Sequence, residues 1–282
     1  MRGFGTSWRL SGARVARAVR RGFTLIEMAI VMVVVGLLLS GSLLALAPVV
    51  QGSKISETNG KLDRIEQALL VYVIQNGCLP CPANPSIAST STGAPESGQA
   101  VTGSAPGTPY TTGCAGATCT YNPGTAGPGG VPWINLGLSE GDATDAFGDR
   151  ISYEVGPVAL TVSNGMERTP PSGYPTGSIT IKNATPTTQT TQAAYVLISY
   201  GSDRSFAYVA STGGTPLVSK HGQTAGDGTS QGTNANGGGT GSTYIQDTYK
   251  GSQNTAYFDD VVRWRTAPNI IQNCGSNACG NP

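Results

Sequence analysis

The fold is decided by residues 20–27, Arg-Arg-Gly-Phe-Thr-Leu-Ile-Glu, where an arginine-rich start gives way to a long apolar run. From Phe23 to Val50 this run contains a single charged residue, Glu27. At about 1.5 Å per residue, a helix over residues 23–50 would reach roughly 40 Å, which exceeds the roughly 30 Å hydrocarbon core of a bilayer. We therefore predict a transmembrane helix over residues 23–50.

The charges are distributed unevenly along the 282 residues. Six of the 17 basic residues are arginines within the first 21 residues, and the chain beyond Gly22 holds 11 basic and 16 acidic residues. The positive-inside rule then predicts that the arginines stay cytoplasmic and that the chain after Val50 lies on the outer face of the membrane. Because that part is mildly acidic, no nucleic acid partner is expected.

Gly22 lies in front of the apolar run, whereas the cleavage site of an ordinary secretory signal follows a shorter apolar region. The segment from Arg21 to Glu27 resembles the prepilin signal of type IV pilins and type II secretion pseudopilins. This resemblance implies a single-pass protein of the bacterial inner membrane with its C-terminal head in the periplasm, and it implies that residues 1–22 are a leader. It also implies that prepilin peptidase cuts between Gly22 and Phe23 and that Phe23 is then N-methylated.

Glu27 is an unusual residue for this position, because an ionised carboxylate inside a membrane costs several kcal/mol unless it finds a partner. The resemblance implies a role in assembly, with the amino group of Phe23 in an adjacent subunit as the partner. The alternative is that Glu27 lies in the headgroup zone of the membrane.

The next segment, residues 51–77, is predicted to be the amphipathic half of one long N-terminal helix. Apolar residues recur there at helical spacing. Asn76-Gly77 is a typical C-terminal stop, and the prolines that follow prevent continuation. The apolar positions are Ile55, Leu62, Ile65, Leu69 and Val73.

Residues 78–282 are predicted to form a β-rich extracytoplasmic head, so the fold class is α+β and pilin-like, with the long helix packed on an antiparallel sheet. Two stretches rich in Gly, Ser and Thr, near 86–112 and 212–241, are predicted to be flexible loops. The predicted strands are Ile151–Val155, Ala159–Val162, Ser178–Lys182, Ala194–Ser199, Phe206–Ser211 and Val261–Trp264.

Several head segments resemble the major pseudopilin of type II secretion. They are Val131-Pro132-Trp133, residues 136–138, Asp145-Ala146-Phe147-Gly148-Asp149 before Ile151-Ser152-Tyr153, Tyr195 to Asp203, and Phe258 to Trp264. Related heads bind Ca²⁺ through hard oxygen ligands in the late loop, which corresponds to residues 199–203 here. The resemblance makes Asp203, Asp259 and Asp260 the candidates. The alternative is that these aspartates have ordinary roles in turns, and no other cofactor is implied.

Six cysteines in an exported chain favour disulfides over a metal site. Cys274 and Cys279 are close enough in sequence to close a small terminal loop. Cross-pairing of Cys78 and Cys81 with Cys114 and Cys119 would join the first flexible stretch to the helix end. A thioredoxin-like redox pair, Cys78 with Cys81, is the alternative, although the strand–helix setting of that motif is missing.

No enzymatic activity is predicted. The only histidine is His221, and the hydrolase-like Gly228-Thr229-Ser230-Gln231-Gly232 lies in a Gly-rich tract without a neighbouring apolar strand. The resemblance implies a structural subunit of a type II secretion pseudopilus. The alternatives are a type IV pilin, which would serve adhesion, motility or DNA uptake, and a tethered domain that does not polymerise. The implied partners are prepilin peptidase, copies of the chain, other pilin-like subunits, the inner-membrane assembly machinery and the membrane.

Overall fold

The computed structural model describes a large part of the chain. The described residues are 22–87, 100–102, 108–110, 114, 119, 128–167, 175–185, 187–210, 221–222, 229–235, 242–250, 257–274 and 279. Residues 1–21 of the predicted leader and most of the two predicted flexible loops lie outside them. The chain divides into two compact units, Met1–Val49 and Val50–Pro282.

The first helix, α1, covers Leu25–Asn76. In the first unit its described apolar side chains are exposed, including Leu25 at 90% and Leu37 at 68%. Among the described residues, no helix combines the length and the apolarity of a membrane span. The transmembrane assignment of residues 23–50 therefore stays a prediction.

In the second unit, α1 buries the apolar stripe that the sequence predicts. Leu62, Ile65, Leu69 and Val73 are completely or almost completely buried, because their spacing places them on one face of the helix. The helix ends at Asn76, and Gly77 follows with a φ of +71° while its N–H donates to the carbonyl of Val73. Glycine adopts this left-handed conformation without steric cost, so the predicted stop is confirmed.

The head combines a main sheet with short additional pairs of strands. Its helices after α1 are α2 (Thr229–Ala235) and α3 (Ala267–Ile271). The strands are β1 (Ala100–Thr102), β2 (Thr108–Tyr110), β3 (Gly129–Gly130), β4 (Asp149–Arg150), β5 (Ser152–Val155), β6 (Ile179–Lys182), β7 (Thr188–Ser199), β8 (Tyr208–Val209), β9 (Thr243–Ile245) and β10 (Val261–Thr266).

Strand β7 is the centre of the main sheet. It pairs antiparallel with β5, β6 and β10, while β3 extends the sheet beyond β5 and β9 extends it beyond β6. Outside the main sheet, β1 pairs with β2 and β4 pairs with β8.

The sheet is buried on both faces, which explains why the second half of β7 is continuously apolar. Tyr195 and Leu197 point toward the helix side and pack in one core with Leu62, Ile65 and Leu69 of α1. Val196 and Ile198 point the other way, because successive strand residues alternate between faces. They pack in a second core with Ala235 of α2 and Tyr244 of β9, so α2 and β9 help to cover the second face.

Three sequence predictions about the head are wrong. The sheet is mixed rather than antiparallel, because β6 and β9 run parallel. Residues 159–162 do not form a strand: Val158–Leu160 is a 3₁₀ turn in which Leu160 N–H donates to the carbonyl of Pro157. Short apolar runs do not distinguish a strand from a turn of helix, and the preceding proline starts the turn.

The third correction concerns the stretches 86–112 and 212–241, which are predicted to be flexible loops. Strands β1 and β2 pair within the first stretch, and the second contains a helix. Residues 229–235 of the second stretch form α2. Helix propensity does not predict this, since the segment contains Gly, Thr, Ser and Asn. The helix forms where tertiary contacts hold it, because Gln231, Asn234 and Ala235 are buried.

Candidate processing and assembly site

The predicted cleavage site lies immediately before α1 and is accessible. Gly22, Phe23 and Thr24 precede the first helical residue, Leu25, and the side chain of Phe23 is 76% exposed. Among the described residues, a Cβ added to Gly22 would have no neighbour within 4 Å. No part of the chain that the structure describes therefore covers the peptide bond between Gly22 and Phe23.

Thr24 and Glu27 begin the helix through a capping box, a motif that the sequence interpretation missed. The Glu27 N–H donates to Thr24 Oγ1 at 3.3 Å, and the Thr24 N–H donates to Glu27 Oε2 at 3.4 Å. The two contacts satisfy backbone donors that the first helical turn leaves without partners. The Thr-x-x-Glu spacing was the signal, and it gives Glu27 a local role within its own chain.

The start of α1 presents an apolar surface that nothing in this chain covers among the described residues. The exposed residues include Phe23, Leu25, Ile26, Met32 and Val33. Apolar patches of this kind on soluble proteins mark sites that bind a membrane or another protein.

Residues 17–43 match the family model of the prokaryotic N-terminal methylation motif. The chain carries a prepilin-type signal. The match begins within the arginine-rich stretch and includes Gly22, Phe23 and Glu27, so the resemblance inferred from residues 21–27 is confirmed. No curated protein and no solved structure matches the chain.

Beyond the prepilin-type signal, the head brings together three segments that lie far apart in the sequence. The turn of Asp145 to Asp149, the loop of Ser199 to Asp203 and the pair Asp259-Asp260 meet near the end of β7. Ser199 Oγ donates to Asp145 Oδ2 at 2.6 Å, and Asp145 Oδ1 accepts the N–H groups of Phe147 and Asp149. The sequence-distant segments therefore form one polar cluster.

The carboxylate of Asp149 joins this cluster to Arg204 and His221. It accepts two hydrogen bonds from the Arg204 guanidinium at 2.6 and 2.7 Å. His221 Nε2 lies 3.2 Å from Asp149 Oδ1, which places the only histidine of the chain within hydrogen-bonding distance of the carboxylate that pairs with Arg204. Asp145, the neighbouring acid, is buried, and this burial raises its pKa.

Asp259 organises the late loop by accepting several hydrogen bonds. Its Oδ2 accepts from the N–H and Oγ of Ser202 at 2.5 and 2.9 Å, from Asp203 N–H at 3.0 Å and from Tyr257 OH at 3.0 Å. Its Oδ1 accepts from Gln231 Nε2 at 2.6 Å. Both oxygens thus face hydrogen-bond donors.

Asp260 lies beside Asp259 and is 6% exposed. Burial, together with the negative charges of Asp259 and Asp203, raises its pKa well above the ordinary value of an aspartate. Asn234 Nδ2 donates to Asp260 Oδ2 at 2.7 Å. Asp260 Oδ1 and Gln231 Oε1 are buried acceptors without a hydrogen-bond partner among the described residues.

These contacts test whether the three acids fit Ca²⁺, as the resemblance implied. Ca²⁺ takes about six to eight oxygen ligands that converge on one point. Asp203, Asp259 and Asp260 instead surround the side-chain amides of Gln231 and Asn234, and the two unpartnered oxygens are too few for that ion. Within the described part of the chain, no group of three or more acidic, histidine or cysteine side chains is arranged to hold a metal.

The six cysteines form three disulfides. Cys78 is bonded to Cys114, and Cys81 is bonded to Cys119. This is the cross-pairing considered from the sequence, and it excludes a Cys78–Cys81 redox pair in this structure. Cys274 is bonded to Cys279 and closes the small terminal loop.

Proposed function

We propose that this protein is a subunit of a type II secretion pseudopilus or a related filament, processed by prepilin peptidase and assembled through its N-terminal helix. The prepilin-type signal at residues 17–43 is the observation that carries this proposal. Such a signal directs removal of a leader while leaving the apolar helix on the mature chain. The role is structural, and its partners are the peptidase, copies of the chain, other pilin-like subunits and the inner-membrane assembly machinery.

The exposed apolar start of α1 supports assembly, because a bilayer and a helix-packed filament core would each cover it. Glu27 supports it as well. Its carboxylate accepts one long, exposed hydrogen bond in the single chain, from the Thr24 N–H at 3.4 Å. Contacts of this length are easily exchanged, so Glu27 is available to pair with the positively charged amino terminus of Phe23 in a neighbouring subunit.

The choice of a pseudopilus rests on the head. Three of the segments that resemble the major pseudopilin, those that contain Asp145, Ser199 and Asp259, lie far apart in sequence and meet in one polar cluster. The alternatives remain a type IV pilin and a tethered domain that does not polymerise. Deletion of the gene distinguishes them: exoproteins retained in the cell support the pseudopilus, and loss of surface filaments supports the pilus.

Processing is tested by mass spectrometry of the N-terminal peptide, in cells with and without prepilin peptidase. We expect the mature chain to begin at N-methylated Phe23 only when the peptidase is present. The variant Gly22→Val should keep residues 1–22, because a β-branched side chain replaces the small residue at the scissile bond. An intact leader in wild-type cells that contain the peptidase would refute the proposal.

Assembly is tested by two variants of Glu27 that separate its charge from its helix cap. Gln completes a capping box as Glu does, so Glu27→Gln preserves the start of α1 but removes the charge. We expect this variant to be processed and retained in the membrane without forming filaments. Thr24→Ala removes the cap and retains the charge, and it should still assemble.

The matched control is Glu57→Gln, because Glu57 is an exposed carboxylate of α1 whose partner is Lys61 on the same helix. It should assemble as the wild type does. Filaments of normal abundance from Glu27→Gln would contradict the proposed charge pairing, whereas the processing result would stand independently.

A further inference from the structure

Helix α2 is the part of the Gly-rich stretch that the proposed function does not use, and its two buried polar side chains share one target. Gln231 and Asn234 are both fully buried. They are three residues apart, so they lie on the same face of the helix. That face is directed at the carboxylates of Asp203, Asp259 and Asp260.

Gln231 joins two of these acids through one nitrogen. Its Nε2 donates to Asp259 Oδ1 at 2.6 Å and to Asp203 Oδ2 at 3.3 Å. The two carboxylates belong to different loops, one after β7 and one before β10. A single group that bridges carboxylates of two loops performs the geometric task of a divalent cation.

Asn234 holds the third acid and is itself anchored. Its Nδ2 donates to Asp260 Oδ2 at 2.7 Å and to the carbonyl of Ile245 at 3.0 Å. Its Oδ1 accepts the Ile245 N–H at 2.7 Å, so every polar atom of the side chain is used. These contacts with β9 fix the amide in one orientation and place its donor on Asp260.

The positively charged side chains near this cluster pair with other residues, so Asp259 and Asp260 need another partner. Among the described residues, no salt bridge includes Asp259 or Asp260. The nearby Arg263 contacts Asn59 and Asp63 on α1, and Asp247 pairs with Lys250. Buried carboxylates require donors or a cation, and here the amides of α2 provide the donors.

We propose that α2 is an intramolecular plug, in which Gln231 and Asn234 occupy the place of a divalent cation between Asp203, Asp259 and Asp260. The head then needs no metal to hold its late loop. Removal of the two amides leaves the carboxylates of Asp203, Asp259 and Asp260 without these donors, and a hard divalent cation such as Ca²⁺ can then replace the amides by drawing the carboxylates together. This inference does not depend on filament assembly.

Thermal unfolding of the purified full-length chain in detergent, in EDTA and in millimolar CaCl₂, tests the plug. We expect the wild-type Tm to agree between the two conditions within about 1 °C, because no site is free to link binding to folding. The double variant Gln231→Ala, Asn234→Ala should lose about 5–10 °C in EDTA and recover part of this loss in CaCl₂. Gln192→Ala, which removes an exposed amide of β7, is the matched control and should behave as the wild type.

A second variant keeps the test decisive if the double variant does not fold. Gln231→Glu has the same size but replaces the bridging donor by a fourth carboxylate. We expect its Tm to be low in EDTA and to rise with Ca²⁺. Calorimetric titration with CaCl₂ should detect the binding of the ion directly. Stabilisation of the wild type by Ca²⁺, or a Gln231→Glu variant whose Tm ignores Ca²⁺, would overturn the proposal.

Discussion

Substitution of Gly201 by alanine should destabilise the head more than a glycine substitution in a turn normally does. Gly201 has a φ of +68°, which disfavours any residue with a side chain. A Cβ built there would lie 2.4 Å from the carbonyl oxygen of Asp259, 2.5 Å from its Cγ and 2.6 Å from its Oδ2. The backbone oxygen cannot rotate away, so the Asp259 segment must move.

The expected cost has two parts. The left-handed conformation costs an alanine about 1–2 kcal/mol. Displacement of Asp259 disturbs an oxygen that accepts from Ser202, Asp203 and Tyr257. Loss of one such hydrogen bond to a charged group costs about 1.5–3 kcal/mol, so we expect a total of about 3–5 kcal/mol.

Gly137 provides the matched control, because its φ is +66° but a Cβ there would have no neighbour within 4 Å in the described part of the chain. Gly137→Ala should therefore show the conformational cost alone, about 1–2 kcal/mol. Urea unfolding of the purified chain, followed by circular dichroism, measures both variants. If Gly201→Ala loses no more stability than Gly137→Ala, the contact with Asp259 does not constrain the loop and the reasoning is refuted.

Two further predictions concern burial and cross-links. Glu154 is almost fully buried and accepts a hydrogen bond from Tyr244 OH, and burial raises its pKa from 4.5 to about 7. The folded state therefore holds the proton more tightly. The free energy of unfolding of the wild type, measured by denaturant titration at each pH, should fall by about 3 kcal/mol relative to that of Glu154→Gln as the pH rises from 4.5 to 8. The same pH dependence of stability in both proteins would contradict this. Replacing Cys78 and Cys114 by serine leaves Cys81–Cys119 in place, so it opens only the short path through residues 78–81 and 114–119 and should cost about 2.5 kcal/mol. Replacing all four of these cysteines removes bonds with sequence separations of 36 and 38 and should cost about 6 kcal/mol, whereas the same change at Cys274 and Cys279, which are separated by 5, should cost about 2 kcal/mol. Equal unfolding midpoints for the last two variants would exclude loop entropy as the cause.

Local signals accounted for the parts of the chain whose structure depends on near neighbours. The prepilin-type signal is a contiguous pattern around Gly22 and Glu27. The helix stop at Asn76-Gly77 follows from the backbone freedom of one glycine. Strands such as β6 and β10 were found because apolar, β-branched runs between turn residues are short-range patterns.

The acidic cluster shows where such reasoning stops. Asp203, Asp259 and Asp260 were identified from resemblance to known heads, and they do meet in space. Their partners Gln231 and Asn234 come from a stretch with no hydrophobic period and poor helix propensity. Only the packing of α2 against β9 orders that stretch, so no local pattern could have identified the two amides.

The sequence by itself therefore determined the signal, the helical start and the burial stripe of α1, because each is written in residues within a few turns of one another. The tertiary structure decided the parallel pairing of β6 with β9, the choice among disulfide pairings and the partners of the three acids. These depend on which distant segments pack together. Packing of that kind is set by the sum of buried contacts across the head, which no single segment of the chain contains.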